Sequence, residues 1–204
     1  MGSTGDPCAT VPGVHLQPLA IAGVFRATPG SKGARHFDWY RADVLAPALP
    51  PAWTPALGTT YTALKGRVEG LHCDGGHRVL TCAAGRIALV VVDLRRGEAT
   101  FGRWIPIDLD TINRVSVVVP PHAAWGFQAH TDTAALIALH AGSTPGLTID
   151  PADPGLQISW PLPVIGPGGL TLSEASKVLG VSGVVDGAGP QRRAATLRNT
   201  GRGR

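Results

Sequence analysis

Arg78-Val79-Leu80-Thr81-Cys82-Ala83, then Ala84-Gly85-Arg86, then Ile87-Ala88-Leu89-Val90-Val91-Val92-Asp93-Leu94 is the stretch that decides the fold of this 204-residue chain. Two short runs of aliphatic and β-branched residues flank a break that contains a glycine. They read as two strands joined by a hairpin-like turn, with Gly85 where a positive φ is needed. The same texture continues outward. The polar loop Arg95-Arg96-Gly97-Glu98-Ala99-Thr100 precedes a strand over 103–109, and a strand over 115–119 stops at Pro120-Pro121, which cannot donate to a ladder. Strands over 125–129 and 134–140 flank His130-Thr131-Asp132-Thr133, and upstream the run reaches back to Thr59. Strands at this spacing without helices between them predict an all-β sandwich or barrel, the jelly roll among them.

One helix is written near the end. Thr171 and Glu174 form a capping-box pattern, Leu172, Ala175 and Leu179 share one face, and Gly180 is placed to close the C-terminus. The expectation is a short helix over 171–179 on the barrel exterior. The segment 14–25 is moderately apolar, 46–55 is proline-rich and reads as a loop, and no internal repeat is present.

A hydrophobic fraction of 44% against 16% charged residues supports a sizeable core and excludes a disordered chain. The formal charge of +4 is unevenly spread. Arg192, Arg193, Arg198, Arg202 and Arg204 oppose only Asp186 after residue 183, so residues 1–183 hold 13 basic and 13 acidic groups. The expected organisation is one domain over 1–183 and a disordered Arg/Gly-rich tail over 184–204, with no nucleic-acid partner because no basic face is clustered on the fold. No run of about 18 apolar residues is present, and the start, Met1-Gly2-Ser3-Thr4-Gly5-Asp6-Pro7, lacks a basic-then-apolar signal. A cytoplasmic protein without membrane contact is expected. Cys8, Cys73 and Cys82 make an odd set without CxxC spacing, which predicts neither a disulfide framework nor a zinc site. Cys73 adjoins His72 and is read as a small buried hydrophobe, with a reactive thiol as the alternative.

Gly70-Leu71-His72 supplies the candidate chemistry: a histidine at the start of the strand series, where an imidazole projecting into a barrel acts as a base near neutral pH. A structural histidine is the alternative. In order and spacing, this segment with Val92-Asp93-Leu94-Arg95-Arg96-Gly97, Thr100-Phe101-Gly102-Arg103-Trp104, Pro120-Pro121 through Gly126-Phe127, Asp132-Thr133-Ala134, Asp153-Pro154, Trp160-Pro161 and Leu172-Ser173-Glu174 resembles the dTDP-4-dehydrorhamnose 3,5-epimerases. These are cupin-type jelly-roll enzymes of deoxysugar biosynthesis. The resemblance runs from about residue 65 to 163, and more faintly from 14. It implies a cupin jelly roll, an isomerase that uses no metal or cofactor, and a homodimer paired through its N-terminal strands.

The resemblance also implies a dyad in which His72 removes a proton next to a ketone and Asp153 orients it, although Asp153-Pro154 reads equally as a turn. Other positions differ from the family pattern. Its phosphate-contacting arginine is Glu69, its lysine is Arg78, its acid tyrosine falls at Ala138 and its second histidine at Trp125. Further upstream, its Gln-Asp-Asn strand corresponds to Leu57-Gly58-Thr59, and its Arg-Gly-x-Phe-x-Glu segment is best matched by Ala34-Arg35-His36-Phe37-Asp38-Trp39. A pocket lined by Leu57, Thr59, Ala138, Trp125 and Trp39 suits an apolar ring-containing ligand better than a diphosphate beside Glu69.

The expected function is therefore a cofactor-independent isomerase or cyclase of secondary metabolism acting on an apolar carbonyl-bearing intermediate. His72 is its base, Asp153 orients that base, and Arg78 stabilises developing negative charge. The alternatives are a dTDP-4-keto-6-deoxysugar 3- and/or 5-epimerase and a non-catalytic ligand-binding cupin. Metal ligation by His72, His77 and His140 is disfavoured, because His72-Cys73-Asp74 interrupts the usual His-x-His pair. Trp104 and Trp160 are read as core residues.

Overall fold

The computed structural model describes residues 10–11, 14–30, 38–142, 146–166 and 168–178. Its strands are β1 (Thr10–Val11), β2 (Val14–Pro18), β3 (Phe25–Pro29), β4 (Leu57–Leu64), β5 (Val68–Asp74), β6 (Arg78–Ala84), β7 (Arg86–Asp93), β8 (Trp104–Asp110), β9 (Ser116–Val119), β10 (Ala123–Ala129), β11 (Thr133–His140) and β12 (Gly146–Thr148). A four-residue helix, α1 (Ala42–Leu45), precedes β4, and α2 (Leu172–Val178) follows β12. One sheet has seven strands in the order β1-β2-β3-β9-β6-β11-β4, the other five in the order β12-β5-β10-β7-β8, and every pairing between strands is antiparallel. This is the expected all-β jelly roll, two sheets face to face with consecutive strands crossing between them.

That crossing corrects one local expectation. The Ala84-Gly85-Arg86 break is not a hairpin, because β6 pairs with β9 and β11 while β7 pairs with β8 and β10. It is a corner at which the chain changes sheets. Gly85 does carry a positive φ of 71°, and an added Cβ there would stand 2.2 Å from the Thr131 hydroxyl oxygen. The Arg86 amide donates to that same oxygen at 3.1 Å, so the corner is tied to the loop between β10 and β11.

Three apolar clusters follow from the alternation of the strands. Between the sheets lie Leu80, Ile87, Leu89, Val91, Leu109, Val117, Phe127, Leu136 and their neighbours. Each large side chain buried in this way stabilises the fold by about 1.5–3 kcal/mol. On the outside of the five-stranded sheet, Leu71, Cys73, Val90, Val92 and Ala124 meet Ile149, Leu156 and Ala175, with Trp104 and Trp160 packed against them as expected. Outside the seven-stranded sheet, Val79 and Val118 meet Leu16, Ala27, Leu45 and Ala48.

The C-terminal segment is held by polar bonds as well. The buried Gln128 amide donates to the carbonyls of Gly66 and Leu162 at 3.1 and 2.9 Å and accepts from the Leu162 amide at 2.9 Å. The predicted capping box at α2 is present: the Thr171 amide donates to the Glu174 carboxylate at 2.8 Å, and the Glu174 amide donates to the Thr171 hydroxyl at 3.2 Å. Leu179, Gly180 and the predicted tail over 184–204 lie outside the described residues.

Candidate active site

β5 contains one residue too many for its partner, and this builds the site. Glu69 stands opposite Phe127 and His72 opposite Trp125, so two residues on β5, Gly70 and Leu71, answer the single Gly126 on β10. Such a bulge breaks the period-2 alternation and brings Glu69 and His72 to the same face. It needs glycine on both strands. A Cβ on Gly70 would lie 2.8 Å from the Gly126 Cα and the Trp125 carbonyl oxygen, and one on Gly126 would lie 2.8 Å from the Glu69 carbonyl oxygen.

Trp125 and Phe127 belong to the core between the sheets, so their partners His72 and Glu69 face inward, whereas Leu71 and Cys73 face the outer cluster. The His72 ring lies 4.7 Å from the Trp125 ring, centroid to centroid, and 5.0 Å from that of Tyr61 on β4. Tyr61 also meets Trp125 edge-on at 5.3 Å. The His72 side chain is 23% exposed, with Nε2 3.5 Å from Glu69 Oε1, a distance of charge contact rather than of a directed hydrogen bond. Burial holds the His72 pKa below its ordinary value, while the Glu69 and Asp74 carboxylates oppose that shift by favouring the imidazolium.

Arg78 opens β6 in the other sheet and reaches across to Asp74 on β5, Nη2 to Oδ1 at 2.6 Å; Arg78 is 4% exposed. His140, on the strand beside it, is cross-strand partner to both Arg78 and Leu57. Burial and the neighbouring guanidinium push its pKa down. One row deeper, Ala138 lies between Leu80 and Thr59. The mouth of the barrel thus gathers Glu69, His72, Asp74, Arg78, Tyr61 and His140 around an apolar floor of Trp125 and Ala138, with Leu57 at the rim.

The sequence-predicted residues His72, Arg78, Glu69, Trp125, Ala138, Thr59 and Leu57 come together here. Two others do not. Asp153 is buried, its Oδ1 accepts from the Gly155 amide at 2.6 Å, and its Oδ2 accepts from the Leu172 amide that starts α2. Its carboxylate is the turn and helix anchor that the Asp-Pro reading allowed. No hydrogen bond joins it to His72, whose acidic neighbour is Glu69. Trp39 packs in the outer cluster beside the seven-stranded sheet, its ring 6.3 Å from that of Tyr40 and its carbonyl accepting from the Ser116 hydroxyl at 2.6 Å. It lies on the far side of that sheet because Val79 and Val118, which it accompanies, alternate with the inward Leu80 and Val117. Ala34 and the segment around it lie outside the described residues.

Sequence reasoning missed Tyr61 and Asp74. Both carry a usable signal, since each is two residues along its strand from a residue already assigned to the site, Thr59 or His72. The Cys73 thiol is 1% exposed and burial pushes its pKa up to about 11, so it is a packed hydrophobe and not a nucleophile. Among the described residues no group of three or more His, Cys, Asp or Glu side chains is arranged to hold a metal ion. The Val92-to-Trp104 motif serves the scaffold. Burial alone would raise the Asp93 pKa, but Arg95, at 2.8 Å through both Nε and Nη2, and the Thr100 hydroxyl hold it below the ordinary carboxylate value.

The family model for dTDP-4-dehydrorhamnose 3,5-epimerase matches residues 20–178. The chain belongs to that family. A dTDP-4-dehydrorhamnose 3-epimerase of Streptomyces niveus is 34% identical over 158 residues, 72% of this chain and 76% of the relative. A dTDP-4-dehydrorhamnose 3,5-epimerase of Mycobacterium tuberculosis is 39% identical over 104 residues, 48% of this chain and 52% of the relative. Among solved structures, the 4-keto-6-deoxy sugar epimerase from the novobiocin biosynthetic gene cluster of Streptomyces spheroides superposes with a TM-score of 0.75 at 30% identity, covering 88% of this chain and 96% of that one. These relatives are epimerases, a kind of isomerase, and they lend no support to the expected cyclase. Among the described residues no helix is long and apolar enough to cross a membrane.

Proposed function

We propose that this family member is an epimerase of nucleotide-linked 4-keto-6-deoxyhexoses that removes the proton next to the ketone with His72. The observation that carries the reading is the inward imidazole beside Glu69, partly desolvated, in a site that faces Arg78 across the barrel. Desolvation keeps His72 neutral at neutral pH, so its lone pair is available to take a proton. The imidazolium that forms gains from the Glu69 and Asp74 carboxylates. Negative charge moving onto the substrate oxygen is met by the Arg78 guanidinium, which Asp74 holds in place. Trp125 and Ala138 exclude water from the reacting carbon.

The test is incubation with dTDP-4-dehydro-6-deoxyglucose in heavy water. Deuterium should enter next to the ketone with the native protein, and His72→Ala should lower the rate at least tenfold, the low end for a lost general base. An unchanged rate removes His72 from this role.

A second reading is favoured by one specific residue. Glu69 is an acid where the family resemblance calls for a phosphate-contacting cation, and it supports the narrower reading of an isomerase for an apolar carbonyl compound. Titration with dTDP separates the two: binding below millimolar concentration decides for the nucleotide sugar, and no binding for the apolar compound.

A further inference from the structure

A neutral imidazole has two unlike nitrogens, one carrying hydrogen and the other a lone pair, so a histidine base acts through only one of them. Their surroundings decide which. In His72, Nε2 is buried, makes no hydrogen bond and stands 3.5 Å from Glu69 Oε1. A substrate carbon cannot reach it. A lone pair on Nε2 would face the negative carboxylate oxygen, whereas a hydrogen there is attracted to it, so the proton belongs on Nε2 and the lone pair on Nδ1.

Packing keeps that choice. The ring lies against Tyr61 of β4 and Trp125 of β10, with centroids 5.0 and 4.7 Å away, and these contacts prevent it from turning over and exchanging its nitrogens. The nearby acids differ in what they serve. Asp74 pairs with Arg78 at 2.6 Å, and Asp153 accepts from the amides of Gly155 and Leu172 at the start of α2. Among the described residues, Glu69 is the acid in contact with the imidazole, and the extra residue of β5 brings it there.

We propose that Glu69 is the positioning residue of the base: it holds the proton of neutral His72 on Nε2 and so makes Nδ1 the atom that takes the substrate's proton. This rests on the epimerase reading above and departs from the dyad that the resemblance implies, in which Asp153 has the orienting part. The substrate's carbon–hydrogen bond breaks, its electron pair becomes the double bond of an enolate, and the proton bonds to the Nδ1 lone pair. The imidazolium keeps its other proton on Nε2 beside Glu69 and releases the Nδ1 proton to solvent. Glu69 also stands where the resemblance calls for a phosphate-contacting cation, so one position has exchanged a contact with the substrate's phosphate for control of the base.

The resting protein tests this without any substrate. Proton–nitrogen correlation spectra of the ¹⁵N-labelled full chain, at a pH where His72 is neutral, show which ring nitrogen carries hydrogen, and the His72 signals are those absent from His72→Ala. Nε2 should be protonated in the native protein, and the His72 titration midpoint should fall in Glu69→Ala and stay in place in Asp153→Asn, which keeps an acceptor for the Gly155 amide. Asp74, Arg78, Tyr61 and His140, the other titratable groups at the mouth, are the same in each of these variants. Hydrogen on Nδ1 in the native protein overturns the proposal, as does a midpoint unmoved by Glu69→Ala or moved equally by Asp153→Asn. With dTDP-4-dehydro-6-deoxyglucose in heavy water, Glu69→Arg should lower kcat for deuterium incorporation at least about tenfold, in the direction known for a lost orienting carboxylate, without raising KM. A native kcat, or a rise in KM alone, overturns the proposal. If the native protein incorporates no deuterium, the epimerase reading falls and the spectra alone decide which nitrogen Glu69 commands.

Discussion

The two ends of the barrel interior differ in what they are made of. At the closed end Ile87, Leu109, Ala129, Ala134, Leu136 and Cys82 fill the space between the sheets with apolar side chains. At the mouth, where β5 and β11 end and β4 and β6 begin, the same two sheets face each other with Glu69, His72, Asp74, Arg78, Tyr61 and His140. The closed end rewards burial alone. The mouth places charges and an imidazole where partial desolvation strengthens every electrostatic interaction. Stability and chemistry are thus drawn from different layers of one core, and changes in the two layers should have separable effects.

The largest separation is expected between His72→Ala, which should cost at least tenfold and up to about 10⁴-fold in turnover with the melting temperature nearly unchanged, and Leu109→Ala at the closed end. The latter should lose about 2–5 kcal/mol of stability in chemical denaturation while the folded fraction stays active. Comparable loss of turnover in both would erase the division. A smaller effect is expected from Glu69→Gln. The Glu69 carboxylate holds the His72 pKa up against burial, so its removal lets that pKa fall further. The base form is the neutral one, and activity is lost as pH drops through its pKa. The acid limb of the kcat/KM profile should therefore move to lower pH, and a move to higher pH would show that the pair is not coupled as described. The smallest effect belongs to Thr171→Ala outside the barrel, which removes the capping hydroxyl of α2 and should cost about 1 kcal/mol with kcat/KM unaltered.

Much of the closed end is legible in the sequence because alternation and turn residues report strands directly. Ile87 to Val92 reads as a strand on its own chemistry, and Gly85 and Pro120 mark the ends of β6 and β9 in the other sheet. What local pattern cannot report is which strands pair. The turn at Gly85 looks like a hairpin and is a corner, since the choice of sheet is made by long-range partners such as Ser116 and Leu139. The site is legible where it follows strand periodicity, as with His72, Arg78 and Ala138. It is misread where a residue's role depends on a distant segment. Asp153 has the composition of a catalytic partner and the position of a helix anchor, and Trp39 lies on the wrong side of a sheet whose alternation only Val79 and Val118 disclose. Glu69 reads in the sequence as a misfit for phosphate, and its contact with His72 depends on an offset visible only once β10 is laid beside β5.

That offset has a consequence for how the site can be altered. Glu69 and His72 are kept together by the count of residues between them and not by a bond, so the acid and the base are set by the length of the strand. Inserting one residue beside Gly126 on β10 would give the extra residue of β5 a partner, restore strict alternation along Glu69-Gly70-Leu71-His72 and set the carboxylate and the imidazole on opposite faces with every site side chain still encoded. A lengthened β10 would then separate proton acceptor from carboxylate in a way that no single substitution can imitate.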